Sequence, residues 1–325
     1  MKNINYSKNI KIFCDSNNID YKSLKPLKND ASKRRYYRFT NNKKALLLMD
    51  SSLEKESLEN FIKITKWLKS NHLTSPEIYI KDEKLGLLII EDFGNDKYSI
   101  LCKKEKKKKK FYYRKAIKLL ILLSEKKKPS FIKDYDHRVL KNELDLYINW
   151  ELNIKENKKA LKDWNRIWNC LLKRVNYKKT CVVLRDFHVD NIFYLKNRYK
   201  LEKIGLIDFQ DSLIGHPAYD LVSLLQDVRI FLSIEEQDSF YNYYKKHAKI
   251  KQDDFKYAYL VLGTQRLFKI IGIFKKLAIN QEKIDYLRYI PRTKKLIKYN
   301  LRSPIFNELK IWLKVHGNNE KIRKK

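Results

Sequence analysis

Glycine and proline are scarce in this chain, at 7 and 6 of 325 residues. So few breakers leave little room for long irregular loops, linkers or collagen-like repeats. Cysteine is scarce too: Cys14, Cys102, Cys170 and Cys181 stand far apart, with no C-x-x-C pair. Neither a disulfide framework nor a zinc site fits that spacing, and reduced thiols in a cytoplasmic protein are expected. Long apolar runs are missing. The longest, Leu119–Leu123, falls far below the ~20 residues of a membrane-spanning helix. The opening MKNINYSKNIKIF holds no apolar run of signal-peptide length, so no membrane insertion is expected. Acidic residues are outnumbered: 38 Asp and Glu face 72 Lys and Arg, a formal net charge of +34.

That charge raises the possibility of a nucleic-acid-binding module. Only 15 of the 72 basic residues are Arg, whereas a nucleic-acid surface more often concentrates Arg and aromatics on one face. Lys, Asn, Ile and Tyr are abundant together, as an AT-rich coding sequence produces, so no specific nucleic-acid partner is expected. A basic surface still steers anionic nucleotides and sugar phosphates toward a cleft. What the chain does have is material for a core: 43% hydrophobic and 13% aromatic residues. Its length favours two lobes over one domain.

Along the chain, residues 1–25 allow one short amphipathic helix with Ile10, Ile12 and Phe13 as its apolar positions. Lys28–Ser32 reads as a turn. Tyr36–Phe39 and Ala45–Asp50 read as a hairpin about Thr40-Asn41-Asn42. Leu58, Phe61, Ile62, Ile64, Trp67 and Leu68 follow helical spacing over Leu53–Asn71. Glu77–Ile80 and Leu85–Ile90 form a second strand pair, closed by Glu91-Asp92-Phe93-Gly94. After that turn helices take over. The lysine run Lys103–Lys110 leads into a helix over Phe111–Leu123, and Leu140–Leu152 and Leu161–Val175 are amphipathic helices carrying Trp150, Trp164 and Trp168. These tryptophans fit a core better than a sugar-stacking platform. Further helices are expected over Leu221–Phe231, Glu235–Tyr244 and Phe255–Leu277, with a last pair beyond Pro291. The expected class is α+β with two lobes: a small sheet-rich lobe over 1–95 and a larger, mostly helical lobe over 96–325.

Between the helices lies Leu184-Arg185-Asp186-Phe187-His188-Val189-Asp190-Asn191, and seventeen residues past Asn191 stands Asp208, within Ile207-Asp208-Phe209. Apolar segments, Thr180–Leu184 before and Ile204–Ile207 after, are placed to hold these oxygen-bearing side chains. A turn at Asn197-Arg198 closes the intervening hairpin. Phosphoryl transfer asks a protein for this set: a carboxylate to orient a hydroxyl, and an amide and a carboxylate for magnesium on the nucleotide phosphates. Asp186 is the candidate base, with Asn191 and Asp208 the candidate metal ligands. His188 and His216 lack a zinc-binding pattern and fit loop-supporting roles. Gln210, Asp211 and Arg266 are candidate partners for substrate hydroxyls. Arg266 is a natural counter-ion for an acidic sugar.

These motifs resemble the aminoglycoside phosphotransferase and choline kinase branch of the protein-kinase-like fold. The likeness extends through Asp30-Ala31-Ser32, Arg34-Arg35-Tyr36, Arg38-Phe39, Leu87–Gly94, Arg185–Asn191, Asp208–Asp211, Gly215–Asp227 and Gln265–Phe274. Over about residues 28–300 it is similar to the bacterial anomeric kinases that act on N-acetylmuramate and N-acetylglucosamine in cell-wall recycling. The resemblance implies ATP and Mg²⁺, with Asp30–Arg38 covering the phosphates and Glu91, Asp92 and Phe93 connecting the lobes at the adenine edge. It also implies Asp186 as base, Asn191 and Asp208 on magnesium, and Asp220, with Arg185 and His188, supporting the catalytic loop.

One position departs from the pattern. A kinase-like fold usually places a Lys or Arg on the third strand to hold the α- and β-phosphates, and here Met49 stands there. Arg34, Arg35 or Arg38, one strand earlier, is expected to take that role. The expected function is phosphoryl transfer from ATP to a sugar hydroxyl, the anomeric one of an N-acetylated amino sugar. Transfer to another small alcohol, an aminoglycoside or choline-like compound, stays open. So does a catalytically weak nucleotide-binding regulator, which the missing strand cation suggests. Oligomeric state is not legible.

Overall fold

The computed structural model describes residues 7–28, 33–250 and 254–317; Asp30, Ala31 and Ser32, with most of the expected turn before the first long strand, lie outside them. In chain order the elements are α1 (Lys8–Ser16), β1 (Lys25–Pro26), β2 (Arg35–Asn41), β3 (Lys44–Asp50), α2 (Lys55–Ser70), β4 (Ile78–Asp82), β5 (Leu87–Glu91), α3 (Tyr98–Lys104), α4 (Lys109–Ser124), α5 (His137–Tyr147) and α6 (Lys158–Lys173). Then follow β6 (Cys181–Val183), β7 (Ile192–Tyr194), β8 (Ile204–Leu206), β9 (Leu213–Gly215), α7 (Ala218–Leu225), α8 (Ile234–His247), α9 (Asp254–Gln281), α10 (Ile290–Asn300) and α11 (Asn307–His316). The class is α+β, as expected. The chain forms two compact units, one of Met1–Tyr112 with Asp190–Asp211, the other of Tyr113–Val189 with Ser212–Lys325. The segment expected over 1–95 lies in the first unit, which also takes in 96–112 and the β7–β8 hairpin.

In the first unit five strands run in the order β1-β2-β3-β5-β4, every neighbouring pair antiparallel. The hairpin turn falls at Asn42-Lys43 rather than at Thr40–Asn42, because both residues take left-handed φ of 47° and 62°, the twist a two-residue hairpin demands. Central strands β3 and β5 are buried on both faces. Tyr37, Phe39, Leu46, Leu48, Leu87 and Ile89 join Ile10 and Phe13 of α1 in one cluster, while Met49, Leu88 and Ile90 lie on alternate positions, also buried. Ile12, expected on the apolar face of α1, is 46% exposed: one turn of helix cannot bring 10, 12 and 13 to the same side. In α2, Leu58, Phe61, Ile62, Ile64 and Leu68 are buried as expected, with Trp67 only half-buried.

The β7–β8 hairpin is tied into this unit by two bridges, Thr74 to Gly205 and Lys97 to Phe193. Gly205 is required there, since an added Cβ would meet the Phe93 ring at 2.7 Å. The apolar segments flanking the central motif do not pair with each other. β6 pairs with β9 in the second unit, and β8 with β7 in the first.

The second unit is built around α9, against which α5, α7 and α10 pack. Trp164 and Trp168 are core residues: Trp164 stacks on Tyr147, lies tilted against Trp312, and meets Phe268 and Trp168 edge-on; Trp150 is only half-buried. Helix α7 stops at Leu225, short of the expected Phe231. Asp227 Oδ1 accepts the Arg229 N–H at 3.0 Å, a side-chain turn that competes with the helical ladder. Among the described residues no helix is long and apolar enough to cross a membrane.

Candidate functional site

Asn191 and Asp208 are brought together by strand register. β7 and β8 pair Ile192 with Leu206, and the ladder runs one step further, Ile207 N–H donating to the Asn191 carbonyl at 3.1 Å. The next residue is Asp208, whose Oδ2 lies 3.4 Å from Asn191 Nδ2. Phe209 anchors the segment by stacking on Phe61, ring centroids 5.1 Å apart. Asp208 holds a left-handed φ of 60°, a conformation a non-glycine residue keeps only where its surroundings enforce it.

Those surroundings centre on Arg34. Its NH2 donates to Asp208 Oδ1 at 3.1 Å, its NH1 to Gln210 Oε1 at 2.8 Å, and its Nε lies 3.5 Å from Glu54 Oε2. Gln210 Nε2 donates to both Asp208 Oδ1 (3.0 Å) and Asp211 Oδ2 (3.1 Å). Burial works against the Arg34 charge, yet Tyr36, Asp208 and Glu54 outweigh it and hold the guanidinium's pKa above its ordinary value. Gln210 is therefore engaged within the Asp208 cluster, while Asp211 is exposed beside it.

The other two arginines diverge from Arg34. Arg38 forms an ion pair with Asp92 at 2.5 Å and also donates to Asn95 Oδ1 and the Gly94 carbonyl. Arg35 points to solvent. Glu91 is held by the Arg198 guanidinium at 2.6 and 2.8 Å, and that guanidinium lies over the Phe93 ring. The expected connector Glu91–Phe93 is thus held by side-chain pairs, and the Glu91 N–H donates to the Glu77 carbonyl at 2.8 Å.

In the second unit the chain before Asp186 is pinned from several sides. Asp220 accepts the Leu184 N–H at 2.6 Å and the Arg185 N–H at 3.0 Å. Ser223 Oγ donates to the Arg185 carbonyl, and Asp227 accepts the Val189 N–H. Arg185 takes a left-handed φ of 66°. Burial pushes Asp220 up to about 7 against the two N–H groups that favour its anion. Asp186 is half-buried and His188 buried. His216 is buried too; its Nδ1 accepts the Ala218 N–H at 3.1 Å, and burial lowers its pKa to about 4. Arg266, the expected partner for an acidic sugar, is 4% exposed and its charge acts on Asp220.

Glu143 escaped the sequence reading. It accepts from Arg185 (2.5 Å), Lys269 (2.8 Å), the Tyr135 hydroxyl (2.6 Å) and Gln265 (3.0 Å). Burial opposes its charge, but Lys269 and Arg185 prevail and hold it at about 2. A signal was available: Leu140, Glu143, Leu144 and Tyr147 share the buried face of α5, and an acid on such a stripe needs a cationic partner.

The chain is similar to known proteins over most of its length. The model of the phosphotransferase enzyme family matches residues 23–259. The chain is 26% identical over 267 residues to the N-acetylmuramate/N-acetylglucosamine kinase of Caulobacter vibrioides, covering 78% of this chain and 74% of that one. It is 29% identical to the protein of the same name from Neisseria meningitidis, covering 81% of each. Among solved structures, choline kinase LicA from Streptococcus pneumoniae superposes with a TM-score of 0.62 at 15% identity, over 90% of this chain and all (100%) of that one. An ADP-bound aminoglycoside phosphotransferase gives 0.60 at 16% identity, over 90% and 96%. These structural likenesses establish the fold as protein-kinase-like.

Proposed function

Because the chain belongs to the phosphotransferase enzyme family, we propose that it is a cytoplasmic, ATP- and magnesium-dependent sugar kinase. Its acceptor is the anomeric hydroxyl of N-acetylmuramate or N-acetylglucosamine, in cell-wall recycling. The observation that carries the acceptor is the shared name of the curated relatives over most of the chain.

Asp186 is the base: its carboxylate orients the acceptor hydroxyl and takes its proton as the oxygen attacks the γ-phosphorus and the bond to the β–γ bridging oxygen breaks, releasing ADP. Asp220, Ser223 and Asp227 hold the backbone around it by the bonds described above. Asn191 and Asp208 would hold magnesium. Hard oxygen donors flanking paired strands fit that ion, and the Asp208 side chain is 41% exposed. Among the described residues no three His, Cys, Asp or Glu side chains form a metal cage, which suits an ion shared with phosphate oxygens. When bound, magnesium neutralises charge on the transferring phosphoryl group.

The test is a screen of purified protein with ATP and magnesium against N-acetylmuramate, N-acetylglucosamine, glucosamine, choline and an aminoglycoside. Product mass and phosphorus NMR identify acceptor and position. A sugar 1-phosphate from an N-acetylated sugar is expected; turnover of choline or the aminoglycoside alone would overturn the acceptor assignment.

A further inference from the structure

Met49 is fully buried in the central strand, so the cation for the nucleotide phosphates comes from elsewhere. Arg38 is committed to Asp92 and Arg35 faces solvent. Arg34 is different: it is buried, and it sits on the very carboxylate assigned to the metal. Asp208 Oδ1 receives Arg34 at 3.1 Å and Gln210 at 3.0 Å, and Oδ2 faces the Asn191 amide at 3.4 Å. The charge of this carboxylate is thus already matched by a guanidinium, which a second cation has to compete with. A divalent ion on the same carboxylate would set two positive centres against one anion, so each weakens the other's hold.

We propose that Arg34 is the resident counter-cation of Asp208 and is exchanged for magnesium–nucleotide. It neutralises the carboxylate beforehand and passes to the phosphate oxygens as the metal takes Asp208. This rests on the kinase reading above. Three features equip Arg34 for the exchange. Its fork matches a phosphate as well as a carboxylate. Glu54, 3.5 Å from Nε and fixed by the Lys33 N–H at 3.0 Å, keeps the back of the guanidinium paired while its front changes partner. Gln210 bridges Arg34, Asp208 and Asp211, so it transmits a change at any one of them. The consequence is that metal alone binds poorly, and metal with nucleotide binds as a unit.

The test uses Mn²⁺ as a paramagnetic probe, titrated by electron paramagnetic resonance into the full chain with and without a non-hydrolysable ATP analogue. Nucleotide affinity is measured in parallel. Wild type is expected to take up Mn²⁺ tightly only with the analogue. Arg34→Met is expected to bind Mn²⁺ alone about tenfold more tightly than wild type and the analogue about tenfold more weakly, a usual size for coupling between sites. Arg34→Lys, which keeps the charge without the fork, shifts both in the same directions by less, and decides the matter should Arg34→Met fail to fold. Mn²⁺ affinity without nucleotide that is the same in wild type and the folded variants would overturn the exchange while leaving the kinase reading intact. A wild-type protein that binds no nucleotide sinks both.

Discussion

Asp186, Asn191 and Asp208 could be proposed from the sequence because the chemistry needs those residue types at short separations along the chain. Asp186→Asn is expected to lower kcat at least ~10³-fold, since an amide cannot take the hydroxyl proton, with nucleotide Kd within about twofold of wild type. Single-turnover kinetics beside a binding titration read both. Arg34 was only one of three candidates in the sequence, because its partner Asp208 lies 174 residues away and no local pattern records so distant a contact. His216 shows burial acting on a single ring. Its pKa falls from 6.5 to about 4, so the folded protein resists the proton that the unfolded chain accepts. Its contribution is complete above pH 6.5 and is lost as pH falls toward 4, amounting to about 3 kcal/mol in all. Urea unfolding of wild type and His216→Gln across that range checks this: the difference between them should shrink as the solution acidifies.

At the level of elements, helical spacing located α2, α4, α5, α6 and α9, because a period of 3.6 survives in the apolar residues whatever the tertiary context. Ends were less legible. The stop of α7 depends on Asp227 turning back to Arg229, and the Asn42-Lys43 turn depends on two left-handed residues. Close helix contact leaves a trace only in residue size. A Cβ on Gly272 of α9 would stand 2.3 Å from the carbonyl carbon of Leu146 in α5. Backbone cannot yield as a side-chain tip does. Gly272→Ala is expected to cost ~2 kcal/mol or more in urea unfolding, despite Ala's better helix propensity. Between the same helices Glu143 binds Lys269, and it also binds Arg185 of the loop after β6. Glu143→Ala leaves the buried Lys269 and the half-buried Arg185 uncompensated and should destabilise by ~3–5 kcal/mol, with kcat falling as Arg185 loses its anchor. Glu143→Gln, which keeps the shape and an acceptor oxygen, should recover part of the loss in both measurements.

For the whole molecule, the class was legible and the division of the chain was not. Charge acts at this scale as self-repulsion: at +34 like charges oppose the compact state wherever they lie within a Debye length, about 10 Å at 0.1 M salt. Tm is expected to rise from low to physiological ionic strength, and thermal scans in a salt series test it; a fall would mean that ion pairs outweigh the excess of lysine. Sequence order misses the β7–β8 hairpin, which belongs to the first unit although the second unit supplies the residues on either side of it. That interleaving bears on biosynthesis. The sheet leaves the ribosome early, yet its unit is complete only once residue 211 has emerged. The stretch from residue 112 to residue 211 takes about 5–20 s to make at roughly 5–20 residues per second. For most of that interval Phe61 lacks Phe209, Phe93 lacks Phe193, and Thr74 lacks Gly205. The newborn protein spends seconds with apolar side chains of its first unit uncovered to whatever is nearby in the cell.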